Sequence, residues 1–186
     1  DPDSDLAAIR RLMDDAAQTG RIGRVDYEPG TPVETWWDLG IGDTTAIWFV
    51  QRIGREVRVI DFYEMSGEGF PHYAKILQSK PYVYGRHIAP HDIAVRELSS
   101  GRSRLEIAES LGIKFDVAPR LPVDDGINAV RVMLPRCWFD AERCKGGLDA
   151  MRMYRKDYDE KLKVFRDRPL HDWASHACDA FRTGCV

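Results

Sequence analysis

The stretch Glu34-Thr-Trp-Trp-Asp-Leu-Gly-Ile-Gly-Asp-Thr-Thr-Ala-Ile-Trp-Phe-Val-Gln51 sets two runs of β-branched and aromatic residues on either side of a glycine-bearing corner. Such runs favour strands, because branched and aromatic side chains pack well on a pleated, half-buried surface. In the first run, Val33 to Leu39, a two-residue period puts Val33, Thr35, Trp37 and Leu39 on one face and Glu34, Trp36 and Asp38 on the other. Gly40-Ile-Gly-Asp43 turns the chain, Ala46 to Gln51 makes a second strand, and Ile53-Gly-Arg-Glu56 is a hairpin turn into a third, Val57 to Tyr63. The product is an antiparallel three-stranded meander. It leaves an acid, Asp38, near the end of a strand that otherwise reads as core.

Working outward, Asp5 to Thr19 reads as a short helix with Leu6, Ile9, Leu12 and Met13 on one side, followed by a connector from Arg21 to Pro32. After the meander, Pro71 opens a helix to about Ser79, and Tyr82 to Ala89 is a fourth strand leading into Pro90-His-Asp-Ile93. Ser103 to Leu111 is a helix, Lys114 to Ala118 a fifth strand, and Asp124 or Asp125 caps a helix that Pro135 breaks. The stripe Ala141, Cys144, Leu148 and Met151 predicts one long helix from about Asp140 to Val164, then a loop, Arg166 to Pro169, then a last helix from His171 to Thr183. The meander is antiparallel, and the helices between later strands favour parallel crossovers. The expected class is α/β: a mixed sheet of five or more strands with helices on both faces.

The chain has 186 residues, 44% hydrophobic and 31% charged, which fits a single globular domain with a sizeable core. Residues 1–30 are expected to be a terminal helix and linker remnant, and 31–186 the domain proper. The acidic start, Asp1-Pro-Asp-Ser-Asp, is unlike a signal peptide, and the missing initiator Met points to an excised fragment. No apolar run approaches the ~20 residues that span a bilayer. A net charge of −3 excludes a generally basic nucleic-acid binder, so phosphate contact must rest on local patches or bound cations. Cys137, Cys144, Cys178 and Cys185 lack a zinc-knuckle spacing and read as reduced thiols.

Three acids fall at structural ends. Asp38 closes the first strand, Asp92 follows the fourth, and Asp179 lies in the last helix. If strands one and four are neighbours, Asp38 and Asp92 meet at one sheet edge, and a helix packed over it supplies Asp179. In that helix Asp172, His176 and Asp179 share an arc of about 60°, while Trp173, Ala177, Ala180 and Phe181 form a separate apolar stripe. Clustered carboxylates repel one another unless a cation compensates them. Hard divalent ions such as Mg²⁺ or Mn²⁺ prefer oxygen ligands, and two of them ~3.5–4 Å apart can hydrolyse a phosphodiester. Each acid also has an ordinary reading: Asp43 as a turn former, Asp92 and Asp172 as helix caps, and His176 as a packed core histidine.

Four stretches carry a resemblance: Thr35-Trp-Trp-Asp-Leu-Gly-Ile-Gly-Asp-Thr-Thr-Ala46, Gly85-Arg-His-Ile-Ala-Pro-His-Asp92, Asp125-Gly-Ile-Asn-Ala-Val130 and His171-Asp-Trp-Ala-Ser-His-Ala-Cys-Asp-Ala-Phe-Arg182. Taken in order, they resemble the C-terminal nuclease domain of the large terminase subunit of tailed bacteriophages. That family implies a ribonuclease H-like fold and a two-metal endonuclease that cuts concatemeric double-stranded viral DNA during packaging, with little sequence specificity. It implies Asp38, Asp92 and Asp179 as metal ligands for Mg²⁺ or Mn²⁺ and His176 as a catalytic neighbour; Asp172 and Asp43 are candidate acids around them that the resemblance does not assign. Basic residues expected to meet DNA are Arg86, Arg96, Arg102 and Arg104. Implied partners are an N-terminal ATPase domain of the same protein, the portal and the small terminase subunit, in the cytoplasm of a bacterial host. No Gly-x-x-x-x-Gly-Lys-Ser/Thr loop occurs in the chain, so the ATPase is not within it. The alternatives are another ribonuclease H-like nuclease, a junction resolvase or hybrid nuclease, and a silent docking module presenting Trp138 and Phe139.

Overall fold

The computed structural model describes residues 4–40, 43–94, 101–153, 156–159, 164–169 and 175–186, and side chains within 7–40, 43–94, 101–153 and 175–186. The elements are α1 (Ser4–Gln18), β1 (Ile22–Gly23), β2 (Val33–Asp38), β3 (Thr44–Ile53), β4 (Glu56–Ser66), α2 (Phe70–Ser79) and β5 (Tyr84–Ala89). There follow α3 (Arg104–Ser110), β6 (Phe115–Val117), α4 (Val123–Met133), β7 (Cys137–Asp140), α5 (Lys145–Met153), β8 (Lys156–Asp159), β9 (Val164–Pro169) and α6 (Ser175–Cys185). Seven strands make one mixed sheet in the order β1-β7-β4-β3-β2-β5-β6, while β8 and β9 pair antiparallel on their own.

The meander read from Val33 to Tyr63 is the centre of this sheet. β2 and β3 pair antiparallel with Asp38 opposite Ala46, and β3 and β4 continue from the Gly54 turn, where φ is +59°. β2 pairs with β5 in parallel, so the first and fourth of the expected strands are indeed neighbours.

Alternation along β2 divides the core as the residues dictate. Trp36 belongs to a cluster with Ile9, Met13, Trp48, Ile127, Leu148 and Phe181, so α1, α4, α5 and α6 cover its face. Val33 and Trp37 belong to a second cluster with Phe49, Tyr73, Leu77, Ala108 and Phe115, so α2 and α3 cover the other. Each such large side chain, fully buried, contributes on the order of 2–3 kcal/mol relative to exposure. The N-terminal part described takes part directly: Ile9 and Met13 are buried in the first cluster, and β1 pairs with β7.

One expected element is corrected. Among the described residues, the long helix from Asp140 to Val164 is a helix only over α5, where Leu148 and Met151 are buried; β7 precedes it, and β8 and β9 follow it. Arg166 to Pro169, expected as a loop, belongs to β9. The helical stripe is real but short, and pairing in space overrides propensity on both sides. Phe139 faces Val59 across parallel strands and is fully buried, while Trp138 packs against the second cluster. The pair therefore does not form the exposed aromatic surface that the docking-module reading required.

Candidate active site

The last helix sits on the sheet through three contacts that its sequence provides. Ala177, Ala180 and Phe181 are buried as the apolar stripe predicts, and Phe181 meets Trp36 and Trp48 edge-on at 5.2 and 5.5 Å between ring centroids. Gly184 lies flat against Trp36; a Cβ there would overlap the indole. The Trp48 indole N–H donates to the Ala177 carbonyl at 2.8 Å, tying α6 to β3 at a buried point. Small residues thus bring the helix close, and aromatics fix its rotation.

This seating carries His176 and Asp179 to the end of β2. The His176 imidazole and the Asp38 carboxylate are hydrogen-bonded through Nδ1 at 3.0 Å, and Nε2 lies 3.7 Å from Asp43. The bond to Asp38 holds the imidazole above its ordinary pKa, Asp43 and Asp179 push the same way, and burial opposes them. Asp38 and Asp179 line a common cleft of about 180 Å³ with His91, Gly126, Arg182 and Thr183. Their side chains are 21% and 25% exposed, so solvent and solutes reach them. Asp179 is paired with Arg182 at 3.0 Å, one helical turn on. A larger cavity of about 270 Å³ beyond Leu39 and Gly40 is mainly apolar and holds neither acid.

A further carboxylate, not singled out from the sequence, stands beside these. Glu64 on β4 faces Ala46, which in turn faces Asp38, so the register puts Asp38 and Glu64 on the same sheet face with only a methyl between them. Burial pushes the Glu64 carboxyl above its ordinary range, the Asp38 charge adds to this, and His176 draws it back.

Other expected site residues lie elsewhere. Asp92 sits on the short helical turn after β5, is 51% exposed, and faces Arg104 at 3.8 Å; it does not line the cleft that Asp38 and Asp179 share. Arg104 is only 11% exposed and also donates to the Leu39 carbonyl at 3.5 Å, so it links the Asp92 turn to the end of β2. Arg86 is exposed and paired with Asp116 at 2.9 Å, and Arg102 donates to the Glu106 carbonyl at 3.4 Å. Arg96 and Asp172 lie outside the described residues. The cysteines are free, and burial pushes the Cys137 thiol up to about 12 and Cys144 well above its usual value, as inert thiols require.

No protein-family model matches the sequence, and no curated protein does. Solved structures do. The large terminase of a thermophilic bacteriophage, in complex with ATP-gamma-S, superposes with a TM-score of 0.68 at 16% identity over 94% of this chain and 44% of that one. The P22 large terminase nuclease domain gives 0.64 at 16% identity, covering 89% of this chain and 86% of that domain. The nuclease domain of the bacteriophage SPP1 large terminase with bound Mn gives 0.58 at 18%, covering 82% and 84%. The fold is that of a large terminase nuclease domain. It is ribonuclease H-like, as the motifs implied, and the chain spans less than half the length of the nucleotide-bound terminase but most of the isolated nuclease domains.

The donor chemistry of the cleft suits a hard divalent cation, since two partly exposed carboxylates converge there from β2 and α6. Among the described residues no three His, Cys, Asp or Glu side chains stand together as a ready cage. Asp38 is instead hydrogen-bonded to His176, and Asp179 is ion-paired with Arg182.

Proposed function

We propose that this chain is the nuclease part of a large terminase, a metal-dependent endonuclease that cuts concatemeric double-stranded viral DNA with little regard to sequence. The observation that carries this reading is the meeting of Asp38 and Asp179, 141 positions apart in the chain (179 − 38), in one solvent-open cleft of a terminase-nuclease fold. The Mn bound to the SPP1 domain supports it.

Asp38 and Asp179 would hold two Mg²⁺ or Mn²⁺ ions, with Asp92 as a third ligand once it leaves Arg104. Such ions lower the pKa of an attacking water and stabilise the departing 3′-oxygen. The protein's own groups do the rest. Trp36, Trp48 and Gly184 fix the helix that aligns Asp179 with Asp38. His176 is hydrogen-bonded to the Asp38 carboxylate through Nδ1 and turns Nε2 toward Asp43, so a protonated ring would lie between two acids. Phosphate contacts without base readout give binding that falls steeply with salt.

The partners in this reading are double-stranded DNA, the ATPase domain of the same full-length protein, the portal and the small subunit, inside the bacterial host. No helix among the described residues is long and apolar enough to cross a membrane.

The test is cleavage of supercoiled plasmid with Mn²⁺, Mg²⁺ or chelator. Cutting should require the metal and vanish in Asp38→Ala and in Asp179→Ala; wild-type cutting by both variants would end the assignment. Linear duplex should be cut at least as well as branched or RNA–DNA hybrid substrates, and a strong preference for either of those would point to a resolvase or hybrid nuclease instead.

A further inference from the structure

A cleft that handles a phosphodiester needs a cation for the phosphate as well as acids for the metal. Among the described residues, Arg182 is the one arginine or lysine lining the cleft that Asp38 and Asp179 share. Its course is built into the fold. Gly126 on α4 is buried, and a Cβ there would stand 2.6 Å from Arg182 Cδ and 2.7 Å from Cγ. The absence of a side chain at 126 is what lets the arginine stem lie across α4 and bring its guanidinium to the cleft. A second, smaller groove adjoins the cleft and shares Ala118, Pro119, Thr183 and Val186 with it; Arg52 and Arg86 line that groove.

We propose that Arg182 holds the phosphate of the DNA strand at the cleft, and that the adjoining groove bearing Arg52 and Arg86 carries the same strand away. This rests on the nuclease reading above, and it names the strand's path. A guanidinium presents paired N–H donors that match two phosphate oxygens, which an ammonium does not. Asp179 holds Arg182 at 3.0 Å, and a cation bound to Asp179 would compete with the guanidinium for that carboxylate and favour its turn toward a phosphate. Arg52 is paired with Glu34 at 2.8 Å and lies over the Trp36 ring at 5.9 Å, while Arg86 is paired with Asp116 at 2.9 Å. The Arg86–Asp116 pair is exposed and worth no more than ~1 kcal/mol, so a polyanion displaces its carboxylate readily, whereas Glu34 is largely buried and Arg52 has only its outer face to offer. The three arginines thereby line one continuous path, each beside a carboxylate, on a chain whose net charge is −3.

Binding of a fluorescently labelled DNA duplex to the wild type at a fixed concentration of Ca²⁺, a hard cation offered to Asp179, measured by anisotropy over a range of salt, tests this. Arg182→Ala should weaken binding about 5–10-fold at low salt and lower the slope of log K against log salt by about 1. Arg52→Gln with Arg86→Gln should lower it by about 2. Arg182→Lys should restore the slope while leaving Mn²⁺-dependent cleavage impaired, because the paired donors are lost. Arg24→Ala, an exposed arginine outside both grooves, should change nothing. Thermal unfolding of each variant establishes that it is folded, and Gly126→Ala, which displaces the arginine without removing it, should reproduce the Arg182→Ala binding loss. An unchanged slope in Arg182→Ala, or an equal fall in Arg24→Ala, overturns the proposal. If the wild type never cuts DNA but the slopes change as stated, the nuclease reading fails and the strand path stands; if it cuts and the slopes do not change, the path alone fails.

Discussion

Two pairs of acids in this molecule differ in what surrounds them. Asp61 and Asp140 are buried and saturated. Asp61 accepts from Lys80 Nζ at 2.8 Å, the Tyr82 hydroxyl at 2.9 Å and the Phe62 amide at 2.8 Å. Asp140 accepts from the amides of Val25 and Arg143, both at 2.9 Å, and ties β1 to β7. Asp38 and Asp179 are partly exposed and face a cleft. A carboxylate whose lone pairs are filled by the fold is a structural element; one left accessible beside a second acid can take a ligand. The difference teaches that burial and saturation, more than the presence of an acid at a strand end, separate the two roles.

The largest expected effect splits the pairs cleanly. Asp38→Ala or Asp179→Ala should reduce metal-dependent cleavage to background while costing only about 1 kcal/mol of stability, because both acids are partly exposed and water can solvate the partner left behind. Asp61→Ala should do the reverse. It leaves the Lys80 ammonium and the Tyr82 hydroxyl without their acceptor and should cost about 2–3 kcal/mol, roughly 5–10 °C for a chain of this size. Chemical denaturation beside a plasmid assay reads both. If Asp61→Ala kills cleavage with the fold intact, the division between the pairs is wrong.

Gly184→Ala tests whether the site depends on how closely α6 lies. The added methyl overlaps the Trp36 indole, and relief requires the helix to move away from β2. Overpacking of this kind costs about 1–3 kcal/mol. Cleavage should fall by more than the stability loss accounts for, because His176 and Asp179 ride on the same helix. A variant that loses stability but cuts normally would mean that the helix can shift without disturbing the acids.

Much of the sheet was legible in the sequence, for clear reasons. Alternation in Val33 to Leu39 set Trp36 and Trp37 on opposite faces, and both packed where that parity required. The stripe in α6 put Ala177 and Phe181 inward and His176 and Asp179 toward the site. Glu64 was not legible, and the cause is a single residue. The register of β3 on β4 slips between Phe49 and Val50, so Val57 and Val59 share a face with Phe62 and Glu64. Strict alternation from Val59 would have sent Glu64 to the opposite face, because a bulge reverses the parity of everything beyond it. Nothing local in Arg58-Val-Ile-Asp61 announces the bulge. Asp92 follows its strand as expected, and the turn there sets its side chain against Arg104, a partner the sequence does not announce. Which way a loop residue points is set by contacts remote in sequence.

Glu64→Gln therefore sharpens the comparison from a position between the two classes. Burial and the Asp38 charge already oppose ionisation of Glu64, so replacing it by a neutral isostere should leave stability within about 0.5 kcal/mol of the wild type or raise it slightly. If the carboxylate helps to balance charge beside the metals, cleavage should fall by about tenfold and need more Mn²⁺ to recover, which a metal titration reads. Stability lost on the scale of Asp61→Ala would move Glu64 into the structural class.

The smallest effect concerns pH. His176 has its folded-state pKa raised by the hydrogen bond to Asp38, so the protonated ring is bound more tightly in the native state than in the unfolded chain. The stability this adds is fully present below the ordinary histidine value of about 6.5 and is lost as pH rises through the raised value. His176→Gln should flatten that part of the stability–pH curve and leave the acid limb unchanged. Asp38→Asn should flatten it as well, since it removes the partner and keeps the shape. Were Asp38→Asn to leave the curve intact, the imidazolium would be held by Asp43 or Asp179 instead, and the pairing across β2 and α6 would not be what orients the ring.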